Sequence, residues 1–248
     1  MAISLKRKAE KPAPDAMTLT EHLSELRGRV IVAVAAFLIM GTFAFVEYNW
    51  ILSFLQHPYC QAEPRHCNFF ITAPLDGLAL RVKIAAYGGI FLSSPIWLWE
   101  LWRFITPGLN PKEKKYAIPF VAATIGLFTL GAAVAYIIFP HALQWLNNIG
   151  GPSLNEILDP NKYLSLFILL MIAFGVTFEF PVVLVSLELA HVVTPQKLSS
   201  VRRWAIIGIV VLAGVITPSS DPFSMLAMAI PLYIFYELSI VIGKIVLR

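Results

Sequence analysis

Phe174-Gly-Val-Thr-Phe-Glu-Phe-Pro181 sets an acid, Glu179, inside a long apolar stretch. A carboxylate at the centre of a membrane-spanning helix costs roughly 2.5–3.5 kcal/mol on insertion scales. Such residues persist where they have a function. The surrounding run, residues 163–193, holds only one other acid, Glu188. Its reading as a bilayer segment decides the fold, because five similar runs flank it.

Three runs precede it, at 30–46, 84–99 and 116–140, and two follow, at 204–217 and 222–243. A helix needs about 20 apolar residues to cross roughly 30 Å of hydrocarbon. The chain is 58% hydrophobic and 14% charged, where a soluble domain carries about 25% charged residues. Its mean hydropathy is +0.72. A soluble globular domain is excluded, and the pattern predicts an all-α membrane protein with six transmembrane helices. The fifth run has 14 residues and covers roughly 21 Å. Arg202-Arg203 before it, and Lys244 and Arg248 after the sixth, bracket the pair with positive charge. Both short helices are therefore expected to cross where the bilayer is locally thin.

The net charge of +4 reports topology rather than nucleic-acid binding. Fifteen of the 19 Lys and Arg residues fall in 1–29, 100–115, 194–203 and 244–248. The other four are Arg65, Arg81, Lys83 and Lys162. Cytoplasmic loops are the basic ones, so both termini are expected inside. Residues 1–16 read as a disordered basic tail, and 17–248 as a single six-helix transmembrane domain. Lys6-Arg7-Lys8 is followed by Pro12 and Pro14 and by no apolar core before Val30, unlike a cleavable leader.

Two longer outer loops are expected at about 47–81 and 141–162. The first holds Cys60 and Cys67, the only cysteines. Extracytoplasmic space permits a disulfide. His57 and His66 lie near them, but the adjacent His66-Cys67 pair makes poor chelate geometry. A bridge is preferred to free thiols, and no metal site is expected.

Thr18 and Glu21 have capping-box spacing, so a helix should start there and carry Leu19, Leu23, Leu26 and Val30 on one face. His22, Glu25 and Arg29 share another face. A surface pair between Glu25 and Arg29 explains that face in structural terms. Glu113 stands among three lysines just after Pro111, where it complements a helix dipole. Asp221 before Pro222 has the order of an N-cap and a first-turn proline. Glu179 has three open readings: a protonated, hydrogen-bonded helix contact, an anion facing a wet concavity, or a member of a proton relay. Pro181 frees backbone carbonyls beside it. No G-x-S-x-G, H-E-x-x-H or phosphate loop occurs, and the five histidines are scattered.

His22-Leu-Ser-Glu25-Leu-Arg27, Ser94-Pro95, Phe104-Ile-Thr-Pro-Gly108, the Glu179 segment and Thr217-Pro-Ser-Ser-Asp221-Pro-Phe-Ser224 follow one another in a familiar order and spacing. In these segments the chain resembles the TatC family, receptor components of the twin-arginine protein translocase, over about residues 17–244. The cysteine-bearing loop suggests an actinobacterial member. The resemblance implies six helices with both termini cytoplasmic, a concave cupped-hand face, and short helices five and six. It implies recognition of twin-arginine signal peptides on folded precursor proteins, with TatA and TatB single-span proteins as partners. Transport would be driven by the proton-motive force across a bacterial cytoplasmic membrane, without cofactor or enzymatic step. Glu25 and Glu113 would bind the two arginines, beside Arg27 and Phe104. Glu179 would face the concave side, and Asp221 would mark the periplasmic turn.

The alternative is a proton-coupled secondary transporter with Glu179 as proton carrier. Transporters usually show internal repeats, and none is evident here. An intramembrane enzyme lacks any paired acid or nucleophile.

Overall fold

A computed structural model describes residues 19–63, 67, 69–70, 73–105, 117–149, 159–217 and 221–246. Every regular element among them is a helix: α1 (Leu19–Val46), α2 (Tyr48–Ala62), α3 (Asp76–Leu92), α4 (Ser94–Ile105), α5 (Ala117–Ile149), α6 (Pro160–Thr177), α7 (Phe180–Leu189), α8 (Pro195–Ser200), α9 (Arg202–Ile216) and α10 (Pro222–Val246). In hydrocarbon the backbone must satisfy its own hydrogen bonds, and helices do so within one segment. Four stretches are long and apolar enough to cross a membrane: His22–Val46, Ile118–Ile149, Pro160–Leu189 and Pro222–Ile245. The expectation of two short final helices therefore holds for α9, with 15 residues, and is corrected for α10, with 25. Leucines, isoleucines and valines along these helices point away from the protein, as do Trp204 and Val215 on α9.

Two runs that read as single spans are broken. The second is α3 plus α4, divided at Ser93, whose N–H donates to Gly89 O at 3.0 Å. Pro95 follows at the second residue of α4, where a missing N–H is harmless. The fourth is α6 plus α7, divided at Phe178 and Glu179. Glu179 N–H turns back three residues to Val176 O (3.1 Å), and Val183 N–H resumes the helix on Glu179 O (3.0 Å). Pro181 has no N–H for the intervening carbonyl.

The outer-loop expectation needs correction. Residues 47–81 are not simply loop, because α2 occupies most of the first part, and α5 continues past Pro140 to Ile149. Tyr163 Oη and Tyr136 Oη donate to Leu55 O (2.9 Å) and Phe54 O (3.0 Å), so α2 is tied to α6 and α5. Tyr59 of α2 meets Tyr163 edge-on, Phe139 meets Tyr163 edge-on, and Phe139 stacks on Phe167. Cys60 and Cys67 are disulfide-bonded across 4.8 Å between Cα atoms. The basic tail and the residue Thr18 of the proposed capping box lie outside the described residues.

Without a hydrophobic drive between helices in lipid, close association uses small residues. α1 crosses α3 at Gly41 and Gly89, where an added Cβ on Gly89 would meet Gly41 Cα and Phe37 O at 3.0 Å. α5 crosses α6 at Gly131, where a Cβ would meet Phe174 O at 2.6 Å. Gly243 of α10 makes room for the Glu188 carboxyl of α7. Glu188 is wholly buried, and both its oxygens lack a hydrogen-bond partner.

α7 ends in a Schellman motif. His191 N–H donates to Glu188 O and Val192 N–H to Leu187 O, both at 3.0 Å. The left-handed residue is His191 (φ 55°) rather than the usual glycine. His191→Gly should raise stability by about 1 kcal/mol, read as a higher melting temperature in detergent. Gly131→Ala should lower it by about 1–3 kcal/mol, because the obstacle is backbone. Gly243→Ala should also destabilise, and adding Glu188→Ala should relieve most of that loss in a double-mutant melting cycle.

Candidate functional site

At one end of the molecule the amphipathic start of α1 lies against the end of α4. His22 and Phe104 stack with ring centroids 4.3 Å apart and planes 15° off parallel. These residues are 82 positions apart, so the stack fixes where the two helices meet. Two turns further along α1, Arg29 bonds two acids. Its Nη2 and Nε reach Glu25 Oε1, and its Nη1 reaches Glu100 Oε2 on α4 at 3.1 Å. The side chains of Glu25, Arg29 and Glu100 are 22%, 16% and 14% exposed, so the trio is mostly shielded from solvent. Glu25 Oε2 is buried and has no hydrogen-bond partner among the described residues. Arg27 points outward.

The i,i+4 pair with Glu first is the favourable orientation, and exposed examples stabilise by about 0.2–0.5 kcal/mol. Glu25 is thus in an ion pair with Arg29, as the helical spacing predicts. Glu100 is the residue that sequence reading missed. It sits just after the uncharged run 84–99 and looks like the first residue of a loop. Its partner is 71 positions away, beyond any local pattern. Glu113 lies outside the described residues.

Glu179 is at the break between α6 and α7, in the N-cap position, and its side chain caps no backbone N–H. Its carboxyl takes a hydrogen bond from Thr124 of α5. Thr124 Oγ1 in turn accepts from Trp102 Nε1 of α4 at 2.7 Å. Trp102 and Thr124 are buried, and Glu179 Oε1 is buried without a partner among the described residues. A donor chain from α4 through α5 to α7 therefore holds one oxygen of this acid. The sequence marks Glu179 but gives no hint of Thr124 or Trp102, which are ordinary residues of their spans.

At the other end, Asp221 is fully buried and its Oδ1 accepts Ser224 N–H at 2.7 Å, the N-cap bond expected for α10. Lys83 of α3 donates to Asn161 O (2.9 Å) and Ser165 Oγ (2.8 Å) of α6. Arg81 lies over the Phe45 ring, 4.6 Å from its centroid. Among the described residues no group of three His, Cys, Asp or Glu side chains is placed to hold a metal ion.

Apolar helices broken beside prolines, with an acid at one break and others at one rim, define a multi-span helical membrane protein. Residues 21–231 match the profile of the family described as Sec-independent protein translocase protein (TatC). The chain belongs to the TatC family. It is 40% identical over 238 residues to the TatC protein of Frankia casuarinae, covering 92% of this chain and 65% of that one. With the Aquifex aeolicus TatC protein it shares 38% over 235 residues, covering 94% and 97%. The Corynebacterium kroppenstedtii protein matches 97% of this chain at 32% identity, and the chain spans 64% of that relative. The fold is similar to a crystal structure titled twin arginine translocase receptor TatC, with TM-score 0.74, 37% identity and coverage of 92% and 100%.

Thr124→Val should leave Glu179 without its donor and Trp102 without its acceptor. A loss of roughly 1–3 kcal/mol in melting stability is expected, larger than for Glu179→Gln, whose amide oxygen still accepts from Thr124.

Proposed function

We propose that this chain is the component of a twin-arginine translocase that recognises the signal peptide of a folded precursor at the cytoplasmic face. The observation that carries the reading is the meeting of α1 and α4: Glu25 lies beside the His22–Phe104 stack, on helices joined by Arg29. In this reading Glu25 and Glu113 each take one of two consecutive arginines. A guanidinium fork matches a carboxylate bidentately, and a lysine ammonium does not. The Phe104 ring offers a flat apolar surface to residues beside the arginines. Arg27 and the lysines flanking Glu113 disfavour stray cations, so geometry carries selectivity.

The proposal includes six crossings, with α3–α4 and α9 as the two beyond the four long apolar stretches. Both termini are then cytoplasmic, with the α2 disulfide and Asp221 on the outer side. The charge distribution supports that orientation, since Arg29, Arg202 and Lys197 are at the end opposite Arg81 and Lys83. The helices form a cupped-hand concavity with Glu179 toward it, in contact with the apolar part of the signal peptide or a partner helix. TatA and TatB assemble on this chain, and the proton-motive force drives transport across the bacterial cytoplasmic membrane. A proton-coupled solute transporter gains no support from the family to which the chain belongs.

Charge reversal at Glu25 or Glu113 should abolish crosslinking of the membrane-embedded protein to a twin-arginine signal peptide. Changing both peptide arginines to lysine should do the same. Crosslinking retained in both protein variants would remove the recognition site. Glu179→Gln should leave measurable transport of a folded reporter, because the amide keeps the Thr124 hydrogen bond. Complete loss would return the acid to an obligatory proton-carrying role.

A further inference from the structure

Arg29 is one guanidinium facing two carboxylates. Both lie within hydrogen-bond reach, one on its own helix and one on α4. Arg27 and Arg103, the nearest described cations in sequence, point outward. Among the described residues the trio is therefore one positive charge short, and the buried Glu25 Oε2 lacks a donor. If Arg29 had Glu25 alone, an arriving arginine would have to break that pair and strand a half-buried cation. Stranding a partly buried charge is the expensive step in any exchange of ion-pair partners. Glu100 removes that step, because Arg29 already has a second acid to hold it.

We propose that Glu100 is a positioning residue for recognition: it retains Arg29 while Glu25 turns its carboxylate to an incoming guanidinium. Arg29 is the resident competitor for Glu25, and Glu100 sets how strongly it competes. The inference rests on the reading that Glu25 receives an arginine of the signal peptide. The entering cation completes a set of two guanidinium groups and two carboxylates, and the rim passes from a net negative to a neutral trio-plus-ligand. A lysine at the same place brings no second donor aligned with the fork, so the exchange favours arginine.

The test measures binding of a fluorescent synthetic twin-arginine signal peptide to the full chain in lipid nanodiscs, with its Lys-Lys counterpart as control. Glu100→Gln leaves Arg29 only a neutral acceptor on α4, so Glu25 becomes its one ionic partner, and binding should weaken about tenfold, equivalent to about 1.4 kcal/mol. Arg29→Gln frees Glu25 and should bind at least as tightly as the unaltered chain. The double variant Glu100→Gln/Arg29→Gln again presents an acid without a competitor and should recover the lost affinity. A purely structural role for Glu100 would not give that recovery. Unchanged binding by Glu100→Gln overturns the proposal, as does weakened binding by Arg29→Gln or a double variant that melts normally and stays weak. If Glu100→Gln does not fold, the Arg29→Gln result decides alone: tighter binding than by the unaltered chain supports the competition, and equal or weaker binding overturns the proposal. Glu25→Gln separates the two levels. If it binds normally, or the unaltered chain does not bind, the recognition reading falls and this inference with it. If it loses binding while the Arg29 and Glu100 variants behave like the unaltered chain, recognition by Glu25 stands and only the role of Glu100 falls.

Discussion

The close crossing of α1 over α3 sets where the rim that carries Glu25, Arg29 and Glu100 lies. Gly41 and Gly89 let the two backbones approach until an added Cβ would sit 3.0 Å from the opposite chain. In lipid such contact is favoured by packing rather than by water, so small residues at the crossing set the geometry. Glu25 lies 16 residues before Gly41, about 24 Å along the helix axis. At that distance a small change of crossing angle displaces the carboxylate by several ångströms. The His22–Phe104 stack and the Arg29 bridge hold the far end against such swing. A glycine contact mid-membrane and a polar clasp at the rim thus define one rigid arm.

Polar residues within the apolar body occur where the helices are interrupted or unusually close. Glu179 marks the α6–α7 break, Ser93 and Ser94 the α3–α4 break, and Glu188 lies against a glycine that leaves it space. A break frees backbone groups, and the local polar side chains and turned N–H groups answer them. Glu179 differs from Glu188 in one respect. It has a fixed donor, Thr124, while Glu188 has none for either oxygen.

The apolar runs were legible as helices because uncharged stretches of bilayer length have few other folds open to them. Asp221 was legible as an N-cap because Asp-Pro is a local signal, and Glu25 with Arg29 because a helix repeats every 3.6 residues. The α2 helix was hidden: its sequence mixes polar and apolar residues, and its stability comes from tyrosines on α5 and α6 far along the chain. Glu100 was hidden because its partner is remote, and Trp102 and Thr124 because nothing polar singles them out before the fold brings them to Glu179. The His191 Schellman cap was hidden because its glycine is absent. Glu113, which the family resemblance brings to the fore, lies outside the described residues.

Recognition at a membrane rim must be strong for the right peptide and reversible enough to release it. A fully exposed pair of acids would bind cations weakly and without much choice, since exposed ion pairs contribute little. A fully buried pair would strand charge whenever empty. The arrangement around Arg29 lies between these limits: three side chains mostly shielded, each still touching solvent, and already in ion-paired form. In the proposed recognition an entering guanidinium would then replace one partner by another of the same kind instead of creating an ion pair from hydrated ions. Selectivity in such an exchange comes from how well the newcomer's fork fits, which distinguishes arginine from lysine more sharply than charge alone.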